Sequence, residues 1–361
     1  MTNHLKYAYA LTIIFLLTTC DSADRPGYIS QIPDIESFTY LAFSQAELDS
    51  KKVSLTPTLL ISGSADTENF VGTPFWIEKV KDEIWIADPV KGEVSAFSAN
   101  GVFSRVIASR GRGPNELQYP ASIYYSGQNR DTSNSVWILD SGLKSILQFS
   151  IDEGEQNRIQ SKEILTEFYG TKILALENEA FLVPLTDQQN QILGVINQNG
   201  ELIDGYVNRI VPLGYQPYTH NRVFFDIEPV SNQLVYAYHG LPLIFIEGFD
   251  SENKRVFDFR PETELSDYNV DLTPLPAEES ISVSSITMDL FVNDSRAFFI
   301  LENQLVVFNH EKEELEKSIT LTDHEGIEMI FQQMVYSDGI FFLINRFTSD
   351  IYTLDEAEVT S

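Results

Sequence analysis

A small set of basic side chains in this acidic sequence could bind a negatively charged ligand. They are Arg110, Arg112, Lys172, His220 and Arg222. Arginine holds a carboxylate or phosphate through two parallel hydrogen bonds, so these residues predict a pocket for such a group. The alternative interpretation is structural, with Arg110 and Arg112 pairing with Glu116 to brace a Gly-Pro turn. The SRGRGP segment (109–114) is not a nucleotide site, because no Lys-Ser/Thr pair and no helix follow it.

Three tyrosines lie in or beside the same Gly- and Pro-containing segments: Tyr119, Tyr215 and Tyr218. Aromatic side chains of this kind form walls for sugar rings or for the side chains of a bound peptide. They also serve as ordinary packing residues. Both interpretations of these tyrosines remain open from the sequence.

Two aspartates, Asp88 and Asp140, are candidates for a metal site because they occupy the same position in a repeated motif. Carboxylate oxygens are ligands for Ca²⁺, but aspartate at a strand end also caps a turn by accepting backbone N–H groups. Zinc is disfavoured, since no histidines stand at ligand spacing and Cys20 is the only cysteine. His310 lies in a charged turn, NHEKEE, and is expected to be solvated.

The charge of the chain excludes one class of partner. It contains 24 Lys+Arg against 53 Asp+Glu, a net charge of -29, with no basic run. Such a protein repels polyanions at long range, so nucleic acid is not an expected ligand. With hydrophobic residues at 43% and aromatic residues at 12%, the acidity belongs to a folded protein with a highly charged surface.

The N-terminus predicts export. An apolar run from Tyr7 to Leu17 follows Lys6 and leads directly to Cys20. The run is too short to span a bilayer comfortably and has the form of a signal-peptide core. The segment before the cysteine resembles the lipobox of bacterial lipoproteins, which implies a lipid on Cys20; the alternative is an ordinary secretory signal. We therefore predict a signal peptide at 1–19, a polar tether at 20–35 and one domain at 36–361.

The most informative feature of the sequence is a repeated β-hairpin. EIWIADPVKGEVSAFS (83–98) and SVWILDSGLKSILQFS (135–150) align without a gap at an offset of 52. The pattern continues at 180–196, 234–246, 297–308 and 340–354, which gives six copies. Large apolar residues recur in the first strand at Trp85, Trp137, Phe181, Val235, Phe299 and Phe342. They recur in the second strand at Phe97, Phe149, Ile196, Ile246, Phe308 and Leu354.

Extended segments before and after each hairpin bring the unit to four strands, which is typical of a β-propeller blade. The last unit ends without a fourth strand, whereas an unassigned strand, VSLTPTLLI (53–61), precedes the first unit. We predict an all-β, six-bladed β-propeller of four-stranded antiparallel blades, with the last blade closed by this N-terminal strand. The longest links between blades, 62–74, 109–120, 214–222 and 260–283, are then expected on one face.

The segment from Val106 to Phe149 also carries a family resemblance. Its Gly-rich turn, Gly-Pro step, strand-opening Pro120 and strand-ending Asp140 are similar to an NHL-type repeat. The layout of residues 36–361 resembles the six-bladed propeller lipoproteins of Bacteroidota-type bacteria. The resemblance implies a fold and a location in the cell envelope but no reaction.

Three functional hypotheses are compatible with these features. The first is a lipid-anchored, monomeric and non-catalytic module that binds a glycan, a peptide or an envelope protein through the face with the long links. The second is a metal-assisted lyase or hydrolase at the mouth of the central channel, with Asp88, Asp140 and Asp226 or Asp289 as ligands. The third is a structural spacer in an envelope complex. No G-x-S-x-G or H-E-x-x-H motif is present, which favours a binding protein without a cofactor.

Overall fold

The computed structural model describes residues 29–63, 72–113, 116–125, 135–151, 162–165, 172–176, 180–185, 190–210, 221–249, 253–259 and 286–361. Within these ranges the strands form six sheets, arranged as the blades of a propeller. The hydrophobic clusters lie between adjacent blades, because each sheet buries both faces against its neighbours.

The N-terminal segment contains two 3₁₀ turns, three short strands and one helix. In chain order they are Ile29–Gln31, Ile35–Ser37, β1 (Phe38–Ala42), α1 (Gln45–Ser50), β2 (Lys52–Leu55) and β3 (Thr58–Ile61). Helix α1 starts with a reciprocal capping box, in which Ser44 and Glu47 each accept the backbone N–H of the other. The cap explains why a six-residue helix forms here.

The first three blades follow in sequence order. Blade 1 contains β4 (Trp76–Val80), β5 (Glu83–Asp88), β6 (Glu93–Ser98) and β7 (Phe103–Ala108). Blade 2 contains β8 (Pro120–Tyr125), β9 (Ser135–Asp140), β10 (Ser145–Ser150) and β11 (Lys162–Leu165). Blade 3 contains β12 (Leu174–Ala175), β13 (Phe181–Pro184), β14 (Gln191–Ile196) and β15 (Leu202–Asn208).

The last three blades complete the ring. Blade 4 contains β16 (Val223–Glu228), β17 (Gln233–Tyr238), β18 (Leu243–Gly248) and β19 (Lys254–Asp258). Blade 5 contains β20 (Thr287–Asn293), β21 (Arg296–Leu301), β22 (Gln304–Asn309) and β23 (Glu314–Leu321). Blade 6 contains β24 (Phe331–Ser337), β25 (Ile340–Asn345) and β26 (Ile351–Asp355), and helix α2 (Glu356–Thr360) follows it.

The N-terminal strands cover the outer edges of three successive blades. Strand β1 pairs in parallel with β19 of blade 4, and β2 pairs in parallel with β23 of blade 5. Strand β3 pairs antiparallel with β26 and supplies the fourth strand of blade 6. The predicted closure by an N-terminal strand is therefore confirmed, and the covered edges cannot pair with other chains.

One detail of that prediction is wrong. The segment VSLTPTLLI is not a single strand, because its first half belongs to β2 on blade 5 and only its second half belongs to β3. The break falls at Thr56 and Pro57. Proline lacks the N–H group that a ladder requires and restricts the residue before it.

The repeated apolar residues are the inter-blade core, as the sequence predicts. All twelve lie in the second and third strands of their blades, and none is more than 5% exposed. The packed structure also includes residues that the sequence assigns to the tether. Ile29, Ile32 and Ile35 are buried against blade 4, so the packed part of the chain begins before residue 36.

The turn inside each hairpin shares a face with the link that enters the same blade. In blade 1, the Asp88 carboxylate accepts the N–H of Thr73 from the entering link at 2.9 Å and the N–H of Lys91 from the turn at 2.9 Å. Gly92 completes the turn with a φ of 68°, where a Cβ would lie 2.7 Å from Arg110 Nε. We call this surface the link face.

Candidate functional site

A cavity opens at the mouth of the central channel on the link face. It is lined by Phe75, Trp76, Lys172, Val223, Phe224, Met288, Asp289, Gln332 and Gln333. Every one of these residues lies at the start of an inner strand or within two residues before it, in blades 1, 3, 4, 5 and 6. The links enter the blades at these positions, which places the cavity on the link face. Its empty volume of ≈ 340 Å³ includes space that is open to solvent.

Lys172 is the central cation of this site. Its Nζ lies 3.9 Å from Asp226 Oδ1, 5.9 Å from the ring centre of Trp76 and 5.8 Å from that of Phe225. The side chain is only 13% exposed. Within the described part of the chain, Nζ has no hydrogen bond of 3.5 Å or less. The ammonium group therefore has donors available to an incoming ligand.

Three carboxyl groups surround Lys172, namely Glu78 on β4, Asp226 on β16 and Asp289 on β20. Loss of hydration on burial raises the pKa of Glu78 well above its ordinary value, and it also raises the pKa of Asp226. Burial raises the pKa of Asp289 to about 6. In each case the charge of Lys172 opposes the effect of burial on the pKa.

Two of these carboxylates also join neighbouring blades. Asp226 Oδ2 accepts the N–H of Val292 from blade 5 at 3.0 Å. Asp289 Oδ2 accepts the N–H of Met334 from blade 6 at 2.7 Å. Hydrogen bonds to a charged acceptor are stronger than neutral ones, so these contacts fix the inner strands around the channel.

The indole of Trp76 presents a second donor at the site. Nε1 is buried and forms no hydrogen bond of 3.5 Å or less with the described residues, although the nearby Glu78 carboxyl interacts with it and has its pKa lowered by it. A buried N–H group without an acceptor is unfavourable by about 1–3 kcal/mol. A ligand oxygen or a water molecule at this position would remove that penalty.

The structure brings together two of the predicted ligand-binding residues. Arg222 lies above the Phe224 ring, with its guanidinium carbon 5.2 Å from the ring centre, and its charge acts on Asp289 together with that of Lys172. The predicted positive pocket is therefore balanced by carboxylates. Sequence reasoning missed Phe75, Trp76, Gln332 and Gln333, because a side chain at the start of an inner strand can belong either to the core or to the channel mouth, and its type does not separate the two.

The other candidates lie elsewhere on the link face or outside the described residues. Arg110 Nη2 donates to the Val90 carbonyl oxygen at 2.7 Å, which ties the link into blade 2 to the hairpin turn of blade 1. Arg112 and Tyr119 are exposed. Among described contacts, none connects these three residues to Lys172. Tyr215, Tyr218, His220 and Cys20 lie outside the described residues.

Asp88 and Asp140 are occupied by backbone amides. Asp140 accepts four N–H groups at 2.6–3.0 Å, two from the link before β8 and two from its own turn. In the described ranges, no group of three or more His, Cys, Asp or Glu side chains is placed to hold a metal ion. The structure therefore does not unite Asp88, Asp140, Asp226 and Asp289 in one ligand set.

The expectation for His310 is wrong. Its side chain is fully buried at the seam between blades 4 and 5, and neither ring nitrogen has a hydrogen-bond partner among the residues that the structure describes. Its main chain is held by Ser295 and Arg255. The charged residues after it in the sequence point to solvent, whereas the histidine itself packs inwards.

Fold and site together define a six-bladed β-propeller with a charged, aromatic-walled cavity at one mouth of its channel. Residues 64–314 match the model of the DUF5128 family, described as a 6-bladed beta-propeller, and the chain belongs to this family. No curated protein matches the sequence. None of the described helices is long and apolar enough to cross a membrane.

Two solved structures from Bacteroides show the same fold. One is a Bacteroides fragilis protein whose name describes it as exported, with 13% identity, a TM-score of 0.57, and coverage of 84% of this chain and 88% of that one. The other is a Bacteroides thetaiotaomicron protein of unknown function, with 11% identity, a TM-score of 0.53, and coverage of 82% and 74%. At this identity the similarity concerns the fold alone.

Proposed function

We propose that this protein is a non-catalytic binding module of the bacterial cell envelope, anchored by a lipid on Cys20, which binds its ligand at the channel mouth. The observation that carries the binding proposal is the Lys172 ammonium group. It lines an open cavity, and the carboxylate oxygen with which it pairs, Asp226 Oδ1, is 3.9 Å away, beyond hydrogen-bonding distance. A buried ammonium without hydrogen bonds is unfavourable, and a bound ligand would satisfy it.

The site has the general form of a small-molecule pocket. Apolar side chains from three blades provide the walls, and a few polar groups converge between them: Lys172, Asp289, Gln332 and Gln333. Asp226 and Asp289 both accept backbone amides, and Asp226 also pairs with Lys172, so neither is an unopposed base or nucleophile. This arrangement supports binding rather than catalysis, and no described residue set favours the metal-assisted alternative.

The proposed location is supported by the sequence before Cys20. Its apolar segment and the following cysteine resemble a lipoprotein signal, and the similar Bacteroides fragilis protein is named as exported. Labelling cells with an acyl-chain analogue and comparing the wild type with Cys20→Ser tests the anchor. Unlabelled wild-type protein in the soluble fraction would refute it.

Binding can be tested through the fluorescence of Trp76. Of the three tryptophans, Trp76 lines the cavity, whereas Trp85 and Trp137 are buried in the core between blades. We expect a screen of envelope sugars, peptides and organic acids to yield a compound that changes the emission of the wild type but not of Trp76→Phe. If no compound in the screen changes the emission or the melting temperature, the channel mouth is not a binding site.

A further inference from the structure

We infer that the ligand of the channel mouth is an uncharged sugar ring, such as the terminal residue of a glycan. The inference rests on the proposed binding function and narrows it to one chemical class. Three features of the cavity support it: the balance of its charges, the excess of hydrogen-bond donors, and its flat apolar walls.

The charges at the mouth are already paired within the protein. Lys172 and Arg222 are the cations, and Asp226 and Asp289 are the anions that face them. Burial raises the pKa of Glu78 well above its ordinary value, which disfavours a further negative charge at this carboxyl. A ligand carboxylate beside Lys172 would be repelled by Asp226 and Asp289. A ligand ammonium would be repelled by Lys172 and Arg222. An uncharged ligand meets neither repulsion.

The hydrogen-bonding groups at the mouth require acceptors. Lys172 Nζ and Trp76 Nε1 are donors without hydrogen-bond partners in the described chain. The oxygens of Asp226 and Asp289 already accept backbone amides. Sugar hydroxyl and ring oxygens are acceptors, and their hydroxyl hydrogens can be donated to Gln332 and Gln333, which line the same cavity.

The walls suit one face of a sugar ring. Phe75, Trp76 and Phe224 come from two blades, and Val223 and Met288 add aliphatic surface. A pyranose ring presents C–H groups on one face and hydroxyl groups at its edge, so it can pack on an aromatic side chain while its hydroxyls form hydrogen bonds. The cavity is open to solvent at the mouth, so a terminal ring that packs on these walls leaves the remaining chain outside the channel.

The test uses probes that share one ring and differ only in charge. Methyl glycosides of common neutral hexoses and pentoses are titrated first, with Trp76 emission and calorimetry as the measurements. The sugar that binds is then compared with its uronic acid and its amino analogue. We expect the neutral sugar to bind at least tenfold more tightly than either charged analogue.

Variants at the site connect the binding to these residues. Trp76→Phe retains an aromatic ring but removes the indole N–H donor. Gln333→Leu removes a side-chain amide. We expect each to weaken binding of the neutral sugar at least fivefold, measured by calorimetry. Lys312→Met, on the exposed turn between β22 and β23, is the matched control and should bind as the wild type does.

The outcomes separate this inference from the proposed function. Tighter binding of the uronic acid or the amino sugar refutes the uncharged class and leaves the binding function intact. If no sugar binds, the inference is refuted. The proposed binding function still stands in that case if a peptide or an organic acid changes the Trp76 emission. Equal binding by the wild type and both site variants places the sugar elsewhere and refutes the inference.

Discussion

Replacing Lys172 with methionine should destabilise the protein in a strongly pH-dependent way. Methionine keeps a straight side chain against Trp76 and Phe225 but removes the charge that faces Asp226, Asp289 and Glu78. Two unit charges about 4 Å apart interact by about 4 kcal/mol at an effective dielectric constant of 20. Removing one partner of a buried pair typically destabilises by about 3–5 kcal/mol. We expect a loss of about 3 kcal/mol at pH 7.5, since the carboxyls can partly compensate by binding protons.

The pH dependence follows from the carboxyl groups. The pKa of Asp289 in the folded protein is about 6, above its ordinary value near 3.8, so the folded state binds protons more tightly than the unfolded state. The associated stability is present below about pH 4 and is lost as the pH rises through about 6. Without Lys172, the pKa values of Asp226 and Asp289 rise further, so this loss becomes larger and extends to higher pH. At pH 5, below the pKa of about 6 for Asp289, this carboxyl is mostly protonated, so the difference in stability between variant and wild type should be clearly smaller than at pH 7.5.

Urea unfolding followed by circular dichroism at pH 5.0 and pH 7.5 measures both values. Lys312→Met is the control, because Lys312 is exposed. This variant should lose no more than about 0.5 kcal/mol of stability at either pH value. If Lys172→Met is as stable as this control at pH 7.5, Lys172 does not compensate the channel carboxyls. An equal loss at the two pH values would show that the effect comes from packing.

Three further substitutions test other parts of the structure by urea unfolding. Asp140→Ala removes the acceptor of four backbone amides and should destabilise the protein by about 3 kcal/mol. Asp88→Ala removes the acceptor of two backbone amides and should destabilise it less. Equal losses of stability would contradict the hydrogen-bond assignment. Ile61→Ala in the closing strand β3 should destabilise the protein by about 2–4 kcal/mol. Leu59 in the same strand is 51% exposed, so Leu59→Ala should change stability little. The reverse order would refute the register of β3. Burial lowers the pKa of His310, so the folded state resists protonation and the wild type loses stability as the pH falls below about 6.5. His310→Leu should abolish this component between pH 7 and 5.5 and be neutral or stabilising at pH 7; an unchanged pH profile would exclude His310 as its source.

The repeat made most of the fold predictable. Each blade buries its second and third strands on both faces, so residues such as Trp85 and Phe97 must be large and apolar, and the period is visible in the sequence. The outer additions were not predictable in the same way. Strands β1 and β2 each pair with a blade along one edge only. The side chains of β2 are largely exposed and those of β1 alternate less regularly than in the blades, so neither strand carries the apolar period of the repeat.

The site was only partly predictable. Lys172 and Arg222 were found because isolated cations before inner strands stand out in an acidic chain. Trp76 was not found, because a tryptophan in an apolar strand segment is indistinguishable from a core residue without coordinates. Charge balance was also hidden, since Asp226 and Asp289 lie in the two blades after that of Lys172, and the sequence does not show that these side chains converge at the channel mouth.

The closure of blade 6 imposes an order on the biogenesis of the molecule. Thr58 and Thr353 are hydrogen-bonded partners that lie 295 positions apart, so β3 leaves the ribosome long before its partner β26 exists. Contacts between residues so far apart in sequence form slowly, and until β3 pairs with β26 the outer edge of blade 6 stays unpaired. Ring closure therefore takes place only after the last blade has been synthesised.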